Sequence, residues 1–486
     1  MGFSSVSSIG GPLSGKVQSI LVKGFKSFKR EQAIELKPFT VLAGANSAGK
    51  SSFFQLLLLL KQTLESDSDP GALLLNGDSV KFTELSQLFW RPAGGTPAQT
   101  MSIGFTSQDG RTTRQFYKRS PFTGLELSHL AIKVDSRSQT YNVGTSYTLG
   151  QFPGVLIDEM TKLGRFGPAL EHFIPDDKGW REWRVRLVRQ GGLLVFELLA
   201  PPQLWGGVER DIWLPVYSPL GPLATLATGL VHLPGLRGNP ERDYPKRAVG
   251  SRFPDAFRVG SRFPGAFQDY VASIVASWTD EDGRLRLKKL NGWVKRLGLG
   301  QAIQSQRTND VAYQVVMERK ASRNRGSNCS ADTVNIADVG LGVSQVLPVL
   351  VALLTRGAKD RSGTVYVEQP EIHLHPRAQK EMARLMAEEA ASGASIVVET
   401  HSSLFLLGLQ TAIAEGIIKS DDVALYWFNQ DELGATTAVL AHVDDYGRTT
   451  QWPADFDDVL LEAQGEYIDA VAKASSKNAT KASKSS

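Results

Sequence analysis

Apolar positions along the chain fall into three regimes. Val17–Val22 and Phe39–Ala43 are short apolar runs, and Ser51–Leu64, free of Gly and Pro, is long enough for a helix. From Met101 to about Ala200 the text changes to short alternating segments, such as Met101–Phe105, Gln115–Lys118 and Leu193–Leu199, separated by Gly, Asp-Gly and Pro. That pattern predicts a mainly β lobe. The last third returns to an α/β rhythm: helices over Val339–Thr355, Pro376–Ala391 and Leu404–Glu415, strands over Gly363–Val367 and Ser395–Glu399. Between these regimes, Leu214–Pro245 is rich in Pro and Gly, and Gly250-Ser251-Arg252-Phe253-Pro254 recurs as Gly260-Ser261-Arg262-Phe263-Pro264. Two copies do not make a solenoid. Asp269–Trp278 and Leu287–Leu297 read as helices, and neither sustains the heptads of a long coiled coil.

The 486 residues are too many for one ordinary core, so several units are expected. The pattern suggests a flexible leader over 1–16, the first half of a head over 17–107, a β-rich lobe over 108–231 and a basic, mixed or helical insertion over 232–329. The second half of the head follows over 330–445, then a C-terminal segment over 446–472 and a disordered Lys-rich tail over 473–486. Charge singles out the insertion. From His232 to Arg325 there are 18 Lys and Arg against 9 Asp and Glu, in a chain of net charge +4. A single cysteine, Cys329, excludes an intramolecular disulfide framework and a Cys-based zinc site. The longest apolar stretches, Phe53–Leu60 and Val346–Leu354, fall short of the roughly 20 residues that span a bilayer. The chain is therefore expected in the reducing cytoplasm, with no membrane partner.

Chemistry concentrates at the ends of the predicted strands. Gly44-Ala45-Asn46-Ser47-Ala48-Gly49-Lys50-Ser51, followed by Ser52, has the spacing of a phosphate-binding loop between strand and helix. Its glycines let backbone N–H groups converge on phosphate oxygens, Lys50 reaches the β and γ phosphates, and the Ser51 hydroxyl coordinates Mg²⁺. Thr364–Glu371 is an apolar strand ending in two carboxylates: Glu368 is expected in the Mg²⁺ shell, and Glu371 is expected to orient and polarise the attacking water. His401 ends a second strand, Ile396–His401, where it could sense the γ phosphate. His373 and His375 admit a competing metal site with Glu371 and His401, although imidazoles pair poorly with so hard an ion as Mg²⁺. Asp338–Gln345 opens a helix with two glycines and a serine, a second surface suited to phosphate. One polypeptide cannot easily bring that surface onto its own P-loop, so it implies a second molecule.

Together these elements resemble the ABC-type ATPases of the SMC-like and OLD-like branch, and more closely a family of predicted bacterial ATPases carrying a C-terminal domain of unknown function. The wording that carries the resemblance is Asp338–Pro348 (DVGLGVSQVLP), Val367–Pro376 (VEQPEIHLHP), Val398–Ser402 (VETHS), Trp452-Pro453 and, in the middle, Pro234–Tyr244 (PGLRGNPERDY). It implies an α/β fold: an ABC-type P-loop ATPase head with a mainly β lobe and a helical, basic insertion. It also implies that two heads sandwich two ATP molecules, with Gly340, Gly342, Ser344 and Gln345 of one contacting the nucleotide of the other. Gln87 is the residue assigned as the lid glutamine at the metal. Three features depart from the pattern: Glu368 stands where many relatives have Asp, the signature is not Leu-Ser-Gly-Gly-Gln, and the lid has no clear motif. Related ATPases, among them the PARIS and Septu subunits, serve antiphage systems beside a separate nuclease. The implied role is a sensor or scaffold that answers a DNA or phage-protein trigger and controls such an effector. The alternative is a DNA-binding repair or chromosome-maintenance ATPase that lays its basic insertion, with Arg252, Phe253, Arg262 and Phe263, on the phosphate backbone.

Overall fold

The computed structural model describes residues 16–66, 68–122, 124–163, 184–200, 212–247, 266–318, 333–355 and 363–449. The leader before Lys16, the tandem Gly-Ser-Arg-Phe-Pro segment, Trp452-Pro453 and the Lys-rich tail lie outside these residues. The fold is mixed α/β with several sheets.

A six-stranded sheet organises the molecule. Its strands run in the order Val231–Leu233, Thr364–Glu368, Ser395–Thr400, Phe39–Gly44, Val423–Gln430 and Thr436–Ala441. The first five are parallel and the last is an antiparallel edge. Parallel strands are covered on both faces, and the near-continuous apolar text of these segments has that cause. Alternation along each strand sends side chains into two separate cores. Val41, Ala43, Val365, Val367, Ile396 and Val398 join the core that holds helices Leu341–Thr355, Pro376–Ala391 and Ser403–Ala414. Leu42, Tyr366, Val397, Ala424 and Phe428 join the other, which holds helix Lys50–Leu64.

That helix is buried along most of its length, and its polar residues are satisfied internally. Gln62 donates to the carbonyls of Leu74 (2.6 Å) and Val80 (3.1 Å) and accepts from the Val80 N–H (3.0 Å), while Lys61 pairs with Glu65. Its first turn carries Lys50 and Ser51. Beyond it lie a six-stranded antiparallel sheet, built from Gln32–Glu35, Val17–Lys23, Thr100–Ser107, Thr112–Ser120, Gly124–Val134 and Arg137–Asn142, and a four-stranded one running from Ile212–Tyr217 to Ser146–Thr148. Three strands of 108–231 thus share a sheet with three from 17–107, the stretch expected to belong to the head. The basic stretch builds a small sheet of Tyr244–Pro245, Ala312–Glu318, Ala302–Arg307 and Thr333–Asn335, packed with helices Val271–Ser277 and Glu281–Arg296. It is therefore mixed, with strands beside its helices.

Two of the expected boundaries fall inside hydrogen-bonded structure. The division at 107/108 cuts the hairpin that pairs Thr100–Ser107 with Thr112–Ser120, and the one at 231/232 cuts the strand Val231–Leu233, which pairs with Thr364–Glu368 in the central sheet. Composition shifts mark neither place, because pairing is decided by partners far away in sequence. No helix among the described residues is long and apolar enough to cross a membrane.

Candidate functional site

The loop from Gly44 to Ser51 turns in backbone conformations that explain its glycines. Gly49 has φ 96°, and a Cβ there would lie 2.6 Å from Thr436 Oγ1 and 2.8 Å from Ser27 Oγ. Gly44, with φ 146°, packs so closely on the Phe428 carbonyl that a Cβ would come within 2.5 Å of its oxygen. Ser47 itself adopts φ 63°, a sparsely populated state for a residue with a side chain. The loop presents Lys50, whose ammonium donates to the carbonyls of Gly44 (3.0 Å) and Ala45 (2.7 Å) and lies 3.3 Å from His401 Nδ1. Burial lowers the Lys50 pKa to about 8, against the opposing pull of Glu399 and Glu371. His401 is likewise lowered, by burial and by Lys50.

A cleft of about 510 Å³ opens over this loop. Ser47, Gly49, Lys50, Ser51 and Ser52 form its floor; Glu368, Gln369, Glu399 and His401 form the wall contributed by the far end of the chain. Lys26, Ser27 and Gln430 complete the rim. Ala45, Asn46 and Ala48 belong to the same turn without lining the cleft.

The carboxylates are deployed differently from the sequence expectation. Ser51 Oγ donates to Glu399 Oε2 at 2.6 Å, and the Tyr366 hydroxyl donates to the other oxygen of Glu399. Glu399 is buried, and desolvation together with the neighbouring Glu368 pushes its pKa up to about 8. Glu368 has both oxygens engaged on the opposite side: His232 Nε2 lies 3.0 Å from Oε1, and the Gly235 N–H donates to Oε2 at 3.1 Å. Burial works to raise its pKa, but the His232 contact, the Gly235 N–H and Arg237 outweigh it and the net shift is downward.

Glu371, expected to face the attacking water, does not line the cleft. Its Oε1 accepts from Thr400 Oγ1 (2.6 Å) and from the His401 N–H (3.2 Å), and its Oε2 is buried without a hydrogen-bond partner. Burial raises its pKa. Gln369, held at φ 46° and unremarked in the sequence, occupies the cleft wall in its place. The reason is the turn after the strand: a left-handed residue at 369 redirects the chain, so the carboxylate two positions on points back into the protein. Gln87 is also displaced from its expected role. It sits in the short turn Leu85–Gln87, bonds to Thr83 through both ends of its amide, and is not part of the cleft.

The second phosphate surface lies elsewhere. Gly340, Gly342 and Ser344 begin helix Leu341–Thr355, and none of them lines the cleft. Gln345 is turned inward instead of outward: its Oε1 accepts the Arg237 N–H (3.1 Å) and its Nε2 donates to Gly238 O (2.7 Å). Arg237, 5% exposed, ties this helix to the cleft wall, donating to the carbonyls of Gln345 (3.0 Å), Glu368 (2.6 Å) and Gln369 (3.3 Å). The sequence offers Arg237 only as part of the basic insertion and its Pro234–Tyr244 segment; the fold brings it between the two motifs.

Among the described residues, no group of three His, Cys, Asp or Glu side chains is placed to hold a metal by itself, so His373, His375, Glu371 and His401 do not form one. His375 instead caps helix Pro376–Ala391. A hydroxyl beside one or two carboxylates fits Mg²⁺, which keeps waters and takes its remaining ligands from phosphate. Much of the described basic charge is already paired: Arg242 with Asp338, Arg247 with Asp269, Lys289 with Glu389, Arg296 with Glu381 and Glu388, and Arg307 with Asp310.

With this geometry in hand, known proteins place the two halves of the sheet. Residues 16–103 match a family described as an AAA ATPase domain, and residues 288–407 one described as an AAA domain, putative AbiEii toxin, Type IV TA system. The residues of the cleft floor and of its Glu368–His401 wall fall within these two matches. Residues 418–460 match a family described as a protein of unknown function (DUF3696). The OLD nuclease of Thermus scotoductus is 36% identical over 69 residues, 14% of this chain and 13% of that protein. Among solved structures, an SmcHead bound to the C-winged helix domain of ScpA overlays with a TM-score of 0.43 at 12% identity, covering 87% of this chain and 97% of the other. The SMC head domain from Thermotoga maritima overlays with a TM-score of 0.37 at 10% identity, covering 88% and 100%.

Proposed function

We propose that this chain is an ATP-binding and hydrolysing ABC-type ATPase that works as a pair of heads. One observation carries the reading: a P-loop lysine and serine from the N-terminal half face Glu368, Glu399 and His401 from the C-terminal half across one cleft. Lys50 binds the β and γ phosphates and Ser51 the Mg²⁺, which when bound neutralises phosphate charge. His401, beside Lys50, reports on the γ phosphate, and Glu371 supports it through Thr400 and the His401 backbone. Gly340, Gly342 and Ser344 of a second copy close over the nucleotide, so ATP joins two molecules. Lys50→Ala should abolish binding of a fluorescent ATP analogue and all phosphate release; an unchanged affinity would overturn the reading.

The wider role we assign is a sensor or scaffold in antiphage defence that holds a separate effector, such as a nuclease, and answers a DNA or phage-protein trigger. The relatives described as a putative toxin of a Type IV system and as an OLD nuclease support that direction. Co-purification with proteins encoded beside it is the test, and failure of any to bind counts against this role. The ion pairs that occupy Arg242, Arg247, Lys289, Arg296 and Arg307 reduce the charge open to a DNA backbone and so disfavour the maintenance alternative.

A further inference from the structure

Glu368 carries the position at which a P-loop enzyme's metal carboxylate is sought from sequence, yet the hydroxyl that would share the metal bonds to a different residue. Ser51 Oγ donates to Glu399 Oε2 at 2.6 Å. Sheet order explains why. Strand Ser395–Thr400 lies between Thr364–Glu368 and the P-loop strand, with Glu399 in register with Glu368 on one side and Leu42 on the other. Glu399 therefore stands one strand spacing, about 4.8 Å, nearer the P-loop than Glu368. Period-two alternation puts it on the same face as Val397, the face covered by the P-loop helix. Glu368 meanwhile bonds away from the P-loop, to His232 at 3.0 Å and to the Gly235 N–H at 3.1 Å. The ammonium of Lys50 is directed to the carbonyls of Gly44 and Ala45. Burial of this cleft-facing carboxyl, bonded only by hydroxyl donors, disfavours its charged form, which a cation beside it would favour.

Resting on the ATP-binding reading above, we propose that Glu399 is the carboxylate that, with Ser51, fixes the divalent cation accompanying the nucleotide. Glu368 serves as an outer group that links the cleft wall to His232 and the 235–237 backbone. Ser51 Oγ would keep its proton and donate it to Glu399 Oε2, leaving its lone pairs for the cation, so one hydrogen bond would orient the ligand. On this assignment the metal carboxylate, Glu399, stands two positions before His401, at the end of strand Ser395–Thr400.

The test is the affinity of an N-methylanthraniloyl ATP analogue measured in EDTA and across a Mg²⁺ titration. Glu399→Gln should leave affinity in EDTA unchanged and demand about 10- to 100-fold more Mg²⁺ to reach half of the metal-dependent gain. Glu368→Gln should shift the Mg²⁺ midpoint less. Glu399→Asp, which keeps the charge but withdraws it from Ser51, should fall between, and it provides the measurement should the glutamine variant fail to fold. An Mg²⁺ response like the parent's in the Glu399 variants, or its loss in Glu368→Gln alone, overturns the assignment. A parent protein that binds no analogue in either condition overturns the ATP reading itself, a signature distinct from lost metal dependence.

Discussion

At the scale of single residues, the cleft assigns unequal work to side chains that look equivalent in sequence. Glu371 lies outside the cleft and accepts from Thr400 Oγ1 and from the His401 N–H. His401→Ala should cut phosphate release about 100-fold at unchanged ATP affinity. Glu371→Gln, which keeps an acceptor for Thr400 and for that N–H, should cut it less; a larger loss than in His401→Ala would show that Glu371 meets the water directly. Gly49 makes a second test. A methyl group there combines φ 96° with a 2.6 Å approach to Thr436 Oγ1, so Gly49→Ala should lower stability by about 1–3 kcal/mol in thermal melts and weaken ATP binding with it. Lys50, Ser51, Glu368 and His401 were legible because motif spacing and strand ends announce them. Glu399, Gln369 and Lys26 were not, since an acid inside VVETH or a glutamine after a strand acquires meaning only when sheet order and a left-handed turn decide what it faces.

At the scale of elements, local signals were read well and pairing was not. Helix Pro376–Ala391 was foreseen to the residue because Pro376 opens it and its apolar face repeats with helical period. Glu281–Arg296 begins six residues before its apolar text, on the Asp280 cap that accepts the Gly283 N–H at 2.7 Å and on two acids in its first turn. These helices are clamped together by Arg296 bridging Glu381 and Glu388, and by Lys289 with Glu389. The Arg296 guanidinium holds the Glu388 carboxyl below its ordinary range. A folded-state pKa depressed below the unfolded one contributes stability above the unfolded value, about 4.3 for Glu, and loses it as pH falls through the folded value. Arg296→Ala should therefore lower the melting temperature at neutral pH by the equivalent of about 1 kcal/mol or less, and the gap to the parent should close in acid. A gap that persists below pH 3 would mean that Arg296 acts by packing alone. The antiparallel partners of Val17–Lys23, which come from residues 32–35 and 100–107, leave no mark in the strand's own text.

At the scale of the whole molecule, the helix start at Gly340–Ser344 lies apart from the cleft, and in the proposed pair the nucleotide brings a second copy's helix to it. Ser344→Arg, a change outside the cleft, should leave ATP-analogue affinity unchanged in the isolated chain and remove ATP-dependent self-association in sedimentation or light scattering. Assembly that persists in Ser344→Arg would remove this helix from the contact. Arg237 gives such an assembly a rigid path inward, from the helix that meets the partner to the carbonyls beneath Glu368 and Gln369.

The central sheet sets one further condition on when the chain can act. Its P-loop strand is flanked by strands from the far end, and Ser51 bonds to a residue 348 positions away. During synthesis the phosphate loop leaves the ribosome early, but its strand gains its sheet neighbours only when Ser395–Thr400 and then Val423–Gln430 have followed it, and closing so long a separation is slow. A chain interrupted before Ser395 therefore has no Glu399 or His401 to set against the phosphate loop.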